Sequence, residues 1–348
     1  MALINKNNKK SFRIIISLVI LLIAGFMSVI YIVLAPNIRS NDGQNAYFYI
    51  HDNSSFDDVV KSLREDGNML NTGTFTILAK ALNYDQKVRP GKYLLKPGMS
   101  NLSLVRNLRN GSQEAVQLII NSIRTREQLA SLISGELMAD SAGLVNLLNN
   151  DSIMAAYGFT SDNSVAVFIP NTYEIYWNTD ERELFDRMYK EYTKFWTDER
   201  KQKAAAIPMT PEQVITLASI IEEETNKRRE HPIIAGLYIN RIRIGMPLQA
   251  CPTIRFALND YTIKRVLFSH LKTQSPYNTY KNKGLPPGPV RLPSIFCIDA
   301  VLDYEKHDYL FMVANASLNG EHTFARTGEE HMRNAREYQK ALDARGIK

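Results

Sequence analysis

The sequence predicts an α+β protein built from a single N-terminal transmembrane helix, a small α+β module and a larger mixed α/β domain. Three observations predict this class. An uncharged apolar run covers residues 14–34, short strand-like and helix-like patterns alternate over residues 46–120, and longer helical patterns separated by proline-rich loops fill residues 121–348. With 348 residues, of which 45% are hydrophobic, the chain is long enough to bury two ordinary cores.

The apolar run at residues 14–34 is long enough to cross roughly 30 Å of hydrocarbon as one helix. Four cations precede it, namely Lys6, Lys9, Lys10 and Arg13. By the positive-inside rule they hold residues 1–13 in the cytoplasm and place the rest of the chain outside. A cleaved signal peptide is the alternative, but its apolar core is ordinarily shorter. We therefore expect an uncleaved single-pass anchor in the cell inner (cytoplasmic) membrane, with the bulk of the chain on the extracytoplasmic, periplasmic side.

The small module follows a polar stretch at residues 37–45 that predicts a short tether. Its predicted strands are short runs of aromatic and aliphatic residues. Its predicted helices carry apolar residues at helical spacing, and Gly67 and Gly111 stand just beyond two of them. The predicted order is strand 47–50, helix 56–64, helix 74–82, strand 91–95, helix 102–108 and strand 115–120.

The larger domain is predicted to be mostly helical. A charged pattern predicts one long helix at residues 180–203, and His231 with Pro232 is expected to interrupt the helical pattern further on. Three proline-punctuated loops between Gly245 and Pro293 carry Tyr, Asn, Thr and Gln side chains, and loops of this kind often carry function. The other predicted elements are helices at 125–133, 144–149, 152–157, 210–225, 233–244, 293–303 and 329–345, an extended segment at 165–173, a buried strand at 309–314 and a short strand at 322–325.

The helix predicted at residues 210–225 ends on three consecutive carboxylates. Thr210 at the N-cap and Gln213 three residues later predict a capping box, with Pro211 at the first helical position. Glu224 continues a row of apolar residues at helical spacing, formed by Val214, Leu217 and Ile221. Burial raises the pKa of a carboxyl group, as a general acid working near neutral pH requires. The alternative is that the solvated end of a surface helix consists of Glu222, Glu223 and Glu224.

Composition and motif spacing argue against several other chemistries. The net charge of +6 is not concentrated in a basic stripe with aromatic residues, which argues against nucleic-acid binding. Cys251 and Cys297 lack zinc-ligand spacing, and whether they pair is left open. The sequence contains neither a nucleophile elbow nor a glycine-rich phosphate loop. We therefore expect no metal and no cofactor, and carboxylate chemistry on a polymer is the surviving class.

Cleavage of a glycosidic bond fits that class. A hydrolase needs two carboxylates about 5–9.5 Å apart. A lytic transglycosylase needs one, because a hydroxyl group of the substrate replaces water and the same carboxylate first donates and then accepts a proton. Glu222 and Glu224 are two residues apart on a helix and point in different directions. The one-carboxylate reaction is therefore the easier one to build.

Six segments of the C-terminal half carry a family resemblance: ASIIEEET at 218–225, INRIRIGMPLQ at 239–249, PT at 252–253, YNTY at 277–280, GLPPGP at 284–289 and HTF at 322–324. In this order they resemble the endolytic murein transglycosylase (MltG, YceG-like) family. The resemblance implies a membrane-anchored lytic transglycosylase that cuts the MurNAc-GlcNAc bond of nascent peptidoglycan glycan strands, forms a 1,6-anhydro-MurNAc end and terminates strand elongation. It also implies a LysM-like module at 46–120, a catalytic domain at 121–348, and peptidoglycan synthases and divisome proteins as partners.

The resemblance maps the family's catalytic glutamate onto Glu224, while Glu223 is expected to face solvent. We predict substrate contacts from Glu222, Asn240, Gln249, Thr253, Tyr277, Asn278, Thr279, Tyr280 and His322. The sequence departs from the family where Cys251 replaces an Asp before Pro-Thr, and where Val165 and Asn171 replace a Glu and an Asp. These replacements leave open which glycan subsites are preferred. They also sustain a rival function, a non-catalytic peptidoglycan-binding or divisome scaffold, and a hydrolase is the third hypothesis.

Overall fold

A computed structural model describes residues 4–39 and 43–346, and residues 1–3, 40–42 and 347–348 lie outside the described part. The chain divides into two compact units, the first formed by Met1–Val116 with Glu174–Asn178 and the second by Gln117–Tyr173 with Thr179–Lys348. Mixed helices and strands confirm the predicted α+β class. The domain limits 46–120 and 121–348 and the LysM-like character of the module stay predictions. No pattern in the sequence predicted that Glu174–Asn178 belongs to the first unit.

The first unit packs short helices against an antiparallel pair of strands. Its elements are α1 (Ile4–Leu34), β1 (Ala46–Ile50), α2 (Phe56–Glu65), α3 (Thr72–Ala81), β2 (Gly91–Leu95) and α4 (Asn101–Asn110). Phe48 of β1 stands opposite Tyr93 of β2, and strand alternation puts both on the buried face. The same core holds one large side chain from each short helix, Leu63, Phe75 and Leu104. Gly111 in the left-handed conformation ends α4, as its position in the sequence predicted.

Helix α1 contains the segment Lys10–Leu34, which is 25 residues long and includes an 18-residue stretch with a mean hydropathy of 2.8, enough to cross a membrane. This agrees with the apolar run predicted at 14–34. The predicted tether is wrong for residues 37–39, which pack into the first unit. Pro36 forms a β-bridge with Ser100, and Ile38 forms one with Met69. Residues 40–42 of the predicted tether lie outside the described part.

The rest of the chain is mostly helical and contains two small sheets. Its elements are β3 (Ala115–Ile120), α5 (Arg126–Glu136), α6 (Ser141–Leu148), α7 (Asp151–Ala155), β4 (Asn171–Tyr176), α8 (Glu181–Phe195), α9 (Asp198–Ala206), α10 (Pro211–Glu224), α11 (His231–Arg243), α12 (Cys251–Ala257), α13 (Ile295–Leu302), β5 (Phe311–Ala314), β6 (His322–Ala325) and α14 (Gly328–Ala344). Strand β3 pairs with β4, and β5 pairs antiparallel with β6 so that Ala314 stands opposite His322.

Helix α10 is the central helix of the second unit. Its predicted capping box is present, because the Thr210 side chain accepts from the Gln213 backbone and the Gln213 side chain accepts from the Thr210 backbone. Every residue from Val214 to Ile221 is buried, and α11, α12 and α13 all pack against α10. A helix that is enclosed all round must be covered by other elements. The helix therefore delivers Glu224 from the core to a cavity at its C-terminal end.

The long charged helix predicted at 180–203 is wrong, because the chain breaks there into α8 and α9. Trp196 is 1% exposed and ends α8 with a non-helical backbone. Thr197 then caps a new helix by accepting a hydrogen bond from the backbone nitrogen of Arg200. Helical spacing continues across the break, so the capping threonine was the signal that the prediction overlooked.

Four further predictions need correction. Residues 165–167 of the predicted extended segment belong to a 3₁₀ turn, Ser164–Val167, that precedes β4. His231 and Pro232 begin α11 instead of interrupting it, since proline is tolerated in a first helical turn. The first proline-rich loop contains α12, which also has proline in its first turn. Strand β5 is only half-buried along its length, not buried.

Candidate active site

Glu224 is the last residue of α10, and its carboxyl group contacts the neighbouring helix α11. The hydroxyl of Tyr238 donates a hydrogen bond of 3.0 Å to Glu224 Oε1. Burial raises the pKa of Glu224 above its ordinary value, and the Tyr238 hydrogen bond and the charges of His322, Arg255 and Arg241 oppose this rise without cancelling it. A carboxyl group with a raised pKa holds its proton to higher pH, as a general acid requires.

Glu224 lines a cavity of about 410 Å³. The side chains around it come from α10, α11, α12, β5, β6, α14 and the loop segments that flank α12. The lining residues are Glu224, Leu237, Tyr238, Arg241, Leu248, Gln249, Cys251, Tyr280, Phe311, Met312, Val313, Ala314, His322 and His331. Glu224 is the only carboxylate among them.

Arg241 brings a buried positive charge to this cavity. The residue is 7% exposed, and its Nε donates to the Leu310 carbonyl at 2.6 Å while its Nη1 donates to the Leu248 carbonyl at 2.6 Å. Carbonyl groups position the guanidinium without neutralising it. Arg241 therefore favours an ionised Glu224 after a proton has been given away.

His322 is held in place by a buried glutamate, Glu230, which is 4% exposed. Glu230 Oε1 accepts from the His322 backbone nitrogen at 2.6 Å, and Oε2 lies 3.0 Å from His322 Nδ1. The Thr225 hydroxyl also donates to Oε2 at 2.9 Å. Burial works against ionisation, but these hydrogen bonds hold the pKa of Glu230 below its ordinary value. An ionised Glu230 accepts a hydrogen bond from His322 Nδ1 and so keeps a proton on that nitrogen. The other ring nitrogen, Nε2, is not bound by Glu230, and His322 lines the cavity.

Three of the residues predicted to contact substrate line the cavity with Glu224. They are Gln249, Tyr280 and His322. The backbone nitrogen of Gln249 donates to the Thr279 carbonyl at 3.0 Å, and Gln249 adopts a positive φ of 51°. Tyr280 places its hydroxyl 3.2 Å from the sulfur of Cys251.

The other predicted contacts lie elsewhere and hold the loops together. Thr253 and Thr279 are buried and share a hydrogen bond of 2.8 Å. Asn278 is fully buried and donates to two backbone carbonyls of its own loop. Tyr277 lines a separate cavity beside Arg124 and Arg126. None of these four residues, Thr253 of α12 and Tyr277, Asn278 and Thr279 of the following loop, lines the Glu224 cavity.

Asn240 and Glu222 likewise do not line the Glu224 cavity. Asn240 donates to the carbonyls of His307 and Tyr309 and lines a different cavity. Glu222 accepts from the backbone nitrogen of Ser294 at 2.6 Å and from its hydroxyl at 2.8 Å, and so binds the N-terminus of α13. We therefore do not include either residue among the proposed substrate contacts.

Glu223 does not face solvent, which corrects the prediction made for it. Its side chain is 10% exposed and its Oε1 pairs with Arg124 at 2.8 Å and with Arg291 at 2.6 Å. Consecutive residues on a helix point about 100° apart, so the three glutamates reach three different partners. Only Glu224 reaches the cavity.

The replaced family positions are also separated. Cys251 lines the Glu224 cavity, and burial raises the pKa of its thiol. Val165 lines a separate cavity, and Asn171 is exposed on β4. Cys251 and Cys297 are both free thiols, so the pairing that the sequence left open does not occur in this structure.

Sequence reasoning overlooked Tyr238, Arg241, Glu230 and His331. A signal was present for two of them, because Tyr238 and Arg241 are three residues apart and so share one face of α11. His331 lies on α14 and lines the cavity. Across the described ranges, no group of three His, Cys, Asp or Glu side chains is placed to hold a metal ion.

A larger cavity of about 640 Å³ lies at the other end of α10. It is lined by Thr210 and by Gly284, Leu285, Pro286 and Pro287 of the GLPPGP segment. Its carboxylate, Glu212, accepts a hydrogen bond of 2.5 Å from Tyr192. Because Glu212 is bound by Tyr192 in the first turn of α10, whereas Glu224 lines the smaller cavity together with Arg241 and His322, we assign the candidate active site to the smaller one.

Comparisons with known proteins relate the chain to one family. The YceG-like family model matches residues 48–337. An endolytic murein transglycosylase from Bacillus subtilis (strain 168) is 28% identical over 267 residues, which are 71% of this chain and 72% of that protein. One from Streptococcus pneumoniae (strain D39) is 27% identical over 324 residues, 83% of this chain and 57% of that longer protein.

Among solved structures, the crystal structure of a YceG-like protein from Listeria monocytogenes has a TM-score of 0.55 with this chain at 27% identity. The match covers 83% of this chain and 98% of that one. Its fold is therefore shared over most of both chains. Together with the family model, which spans both units, this shows that the chain belongs to the YceG-like family.

Proposed function

We propose that this protein is a lytic transglycosylase that cuts peptidoglycan glycan strands internally, as the names of its curated relatives state for those proteins. One observation carries the proposal. The candidate active site contains a single lining carboxylate, Glu224, whose pKa is raised by burial. A reaction in which one group serves as acid and then as base needs this arrangement.

In the proposed reaction Glu224 donates its proton to the glycosidic oxygen between MurNAc and GlcNAc. The bond from that oxygen to C1 of MurNAc breaks as an oxocarbenium ion develops. The C6 hydroxyl of the same MurNAc then bonds to C1, and its proton passes to the Glu224 carboxylate. The acid is regenerated and no water is consumed. Arg241 and the Tyr238 hydroxyl stabilise the carboxylate between the two steps.

A hydrolase is less well supported. It needs a second carboxylate about 5–9.5 Å from the first to activate water or to form a covalent intermediate. Glu222 and Glu223 are bound to Ser294 and to two arginines, and Glu230 is bound to His322 and Thr225. Each of these carboxylates is engaged with other partners.

The proposed substrate contacts are Gln249, Tyr280 and His322.

We further propose that Lys10–Leu34 anchors the protein in the inner membrane with the candidate active site on the outer side. The length and hydropathy of this segment support the anchor, and the cations of residues 1–13 support the orientation. The substrate would then be nascent glycan strands at the membrane surface. Peptidoglycan synthases and divisome proteins are the proposed partners, as the family resemblance implies.

The ends of the products test this function. Full-length protein in detergent, incubated with uncrosslinked glycan strands in ¹⁸O-labelled water, is expected to give shortened strands with unlabelled 1,6-anhydro-MurNAc ends by mass spectrometry. In the cyclising reaction the C6 oxygen of MurNAc bonds to C1, so no oxygen atom from water enters the product. Labelled reducing ends would indicate the hydrolase, and intact strands would favour the non-catalytic scaffold.

Replacing Tyr238 with phenylalanine is expected to shift the alkaline limb of the pH profile of kcat/KM to higher pH. The Tyr238 hydrogen bond lowers the pKa of Glu224 against the effect of burial. Without it the pKa rises further, and the protonated acid persists to higher pH. Tyr304→Phe is the matched control, since the Tyr304 hydroxyl binds Arg243 outside this cavity. A shift of the alkaline limb to lower pH would contradict the assignment of Glu224 as the acid.

A further inference from the structure

The end of α1 is held by side chains of the first unit. Asn101 is 2% exposed, and its Nδ2 donates to the carbonyl oxygen of Ile32 at 2.9 Å and to the hydroxyl of Thr74 at 3.0 Å. Its Oδ1 accepts from Asn37 Nδ2 at 2.6 Å. The last carbonyls of a helix have no partner within the helix. Here Asn101 of α4 provides a hydrogen-bond donor for the carbonyl of Ile32, so a side chain of the first unit caps the apolar helix.

Asn37 continues this connection beyond the helix. It is 5% exposed, and its side chain exchanges two hydrogen bonds of 2.8 Å with the backbone of Asn71. Its own carbonyl accepts from the backbone nitrogen of Leu70 at 2.8 Å. A buried amide with this set of partners has one orientation. These packed contacts therefore set the direction of α1 relative to the rest of the first unit. A flexible linker would leave that direction free.

Two large apolar side chains are exposed beside this junction. Leu70 is 59% exposed and lines a small cavity with Tyr31 and Thr74. Ile77 is 60% exposed and lies one helical turn beyond Thr74 on the same side of α3. Tyr31 is itself exposed, and tyrosine is enriched where membrane helices meet water. Tyr31 stands near the end of the proposed span and lines the same small cavity as Leu70, so a bilayer crossed by this span would have its surface near Leu70.

We propose that the first unit rests on the outer surface of the bilayer, with Leu70 and Ile77 inserted among the lipid headgroups. The partner is a phospholipid surface because the apolar helix that must cross it is continuous with the patch and fixed to it by Asn37 and Asn101. Apolar side chains gain free energy when they enter the headgroup and acyl boundary. This inference rests on the proposed membrane span. It makes α1 and the rest of the first unit one rigid body, in which the short helices and strands are held at a fixed height on the bilayer surface.

Spin labels test the inference in the full-length protein, reconstituted in nanodiscs of phosphatidylethanolamine and phosphatidylglycerol. Single cysteines are introduced as Leu70→Cys, Ile77→Cys and Lys61→Cys in a background with Cys251→Ser and Cys297→Ala. At positions 70 and 77 collisions with oxygen are expected to exceed collisions with a water-soluble nickel complex. At Lys61, an exposed position of α2, the order is expected to be reversed. All three side chains are exposed, so the labels leave the core intact.

Further labels separate the possible outcomes. An Ile23→Cys label inside the apolar segment reports whether the span itself is in lipid. Oxygen accessibility at position 23 together with nickel accessibility at 70 and 77 would overturn the inference and leave the anchor standing. Spin–spin broadening at 70 or 77 that disappears on dilution with unlabelled protein would overturn it in favour of a second copy of the chain. Glycan cleavage plays no part in these readouts, so a failure of the proposed function leaves them unchanged.

Discussion

Replacing Glu224 with glutamine is expected to reduce the cleavage of glycan strands at least about a thousandfold. General acid–base catalysis by one side chain typically contributes about a hundredfold to ten-thousandfold, and here the same carboxyl group serves both steps. Glutamine keeps the shape and can still accept the Tyr238 hydrogen bond, but it cannot donate the proton. The loss is expected in kcat, with KM nearly unchanged, because the uncharged side chain preserves the cavity.

The matched control for this variant is Glu212→Gln. Glu212 lies in the first turn of α10, on the same helix as Glu224 but at its other end, where it binds Tyr192. Initial rates of anhydro-end formation by mass spectrometry, together with thermal unfolding, compare the two variants. Retained cleavage in Glu224→Gln would move the acid to another residue. An equal loss of activity in Glu212→Gln would show that the assay reports damage to the helix and not the chemistry.

Replacing Glu230 with glutamine is expected to reduce kcat about a hundredfold. Glu230 acts through His322, because its carboxylate holds both the backbone and the ring of that residue. Glutamine cannot accept on both sides of its head group, so His322 loses its fixed orientation in the cavity. A misplacement of about 1 Å in a catalytic site can cost about a hundredfold in rate. Glu230 is thus expected to be a positioning residue.

A double-variant cycle separates this role from a purely structural one. If Glu230 acts through His322, combining Glu230→Gln with His322→Ala is expected to lower kcat no further than His322→Ala alone. If the loss of kcat in the double variant equals the product of the losses in the two single variants, the assignment is contradicted. Kinetics of the two single variants and the double variant, measured with the same glycan strands, provide the comparison.

The same variant is also expected to change the pH dependence of stability. Because the pKa of Glu230 is held below its ordinary value of 4.5, its ionised form stabilises the fold fully above that value and loses this contribution as pH falls through the lowered pKa. The free energy of unfolding should differ between wild type and Glu230→Gln by about 2 kcal/mol near neutral pH, and by less in acid. Chemical denaturation at the two pH values measures the difference.

Much of the local structure followed from the sequence. The start of α10 was predictable because Thr210 and Gln213 bond to each other's backbone within one turn. The residue that reaches the cavity was predictable because Glu224 continues the row of Leu217 and Ile221, both of which are buried. These relations involve residues a few positions apart, and helical geometry alone determines them.

The composition of the candidate site was less predictable. Asn278 and Thr279 belong to a loop segment rich in turn residues, a pattern also typical of loops that line a groove. Both are nevertheless buried and bond to backbone atoms of the neighbouring segments. Glu223 belongs to a charged run, yet it pairs with Arg124, which is 99 residues away in the chain. A polar side chain in a loop has the same local pattern whether it faces a cavity or bonds to a neighbouring backbone.

The sequence by itself determined the apolar segment that can cross a membrane, the bounds of α10 and the place of Glu224 at its end. These features depend on composition, capping and periodicity, which act within a few residues. Only the tertiary structure decided that Tyr238, Arg241 and His322 line the same cavity as Glu224, and that Glu230 binds His322. The physical reason is that Glu230 and His322 are 92 residues apart, and such contacts form only when separate elements pack together.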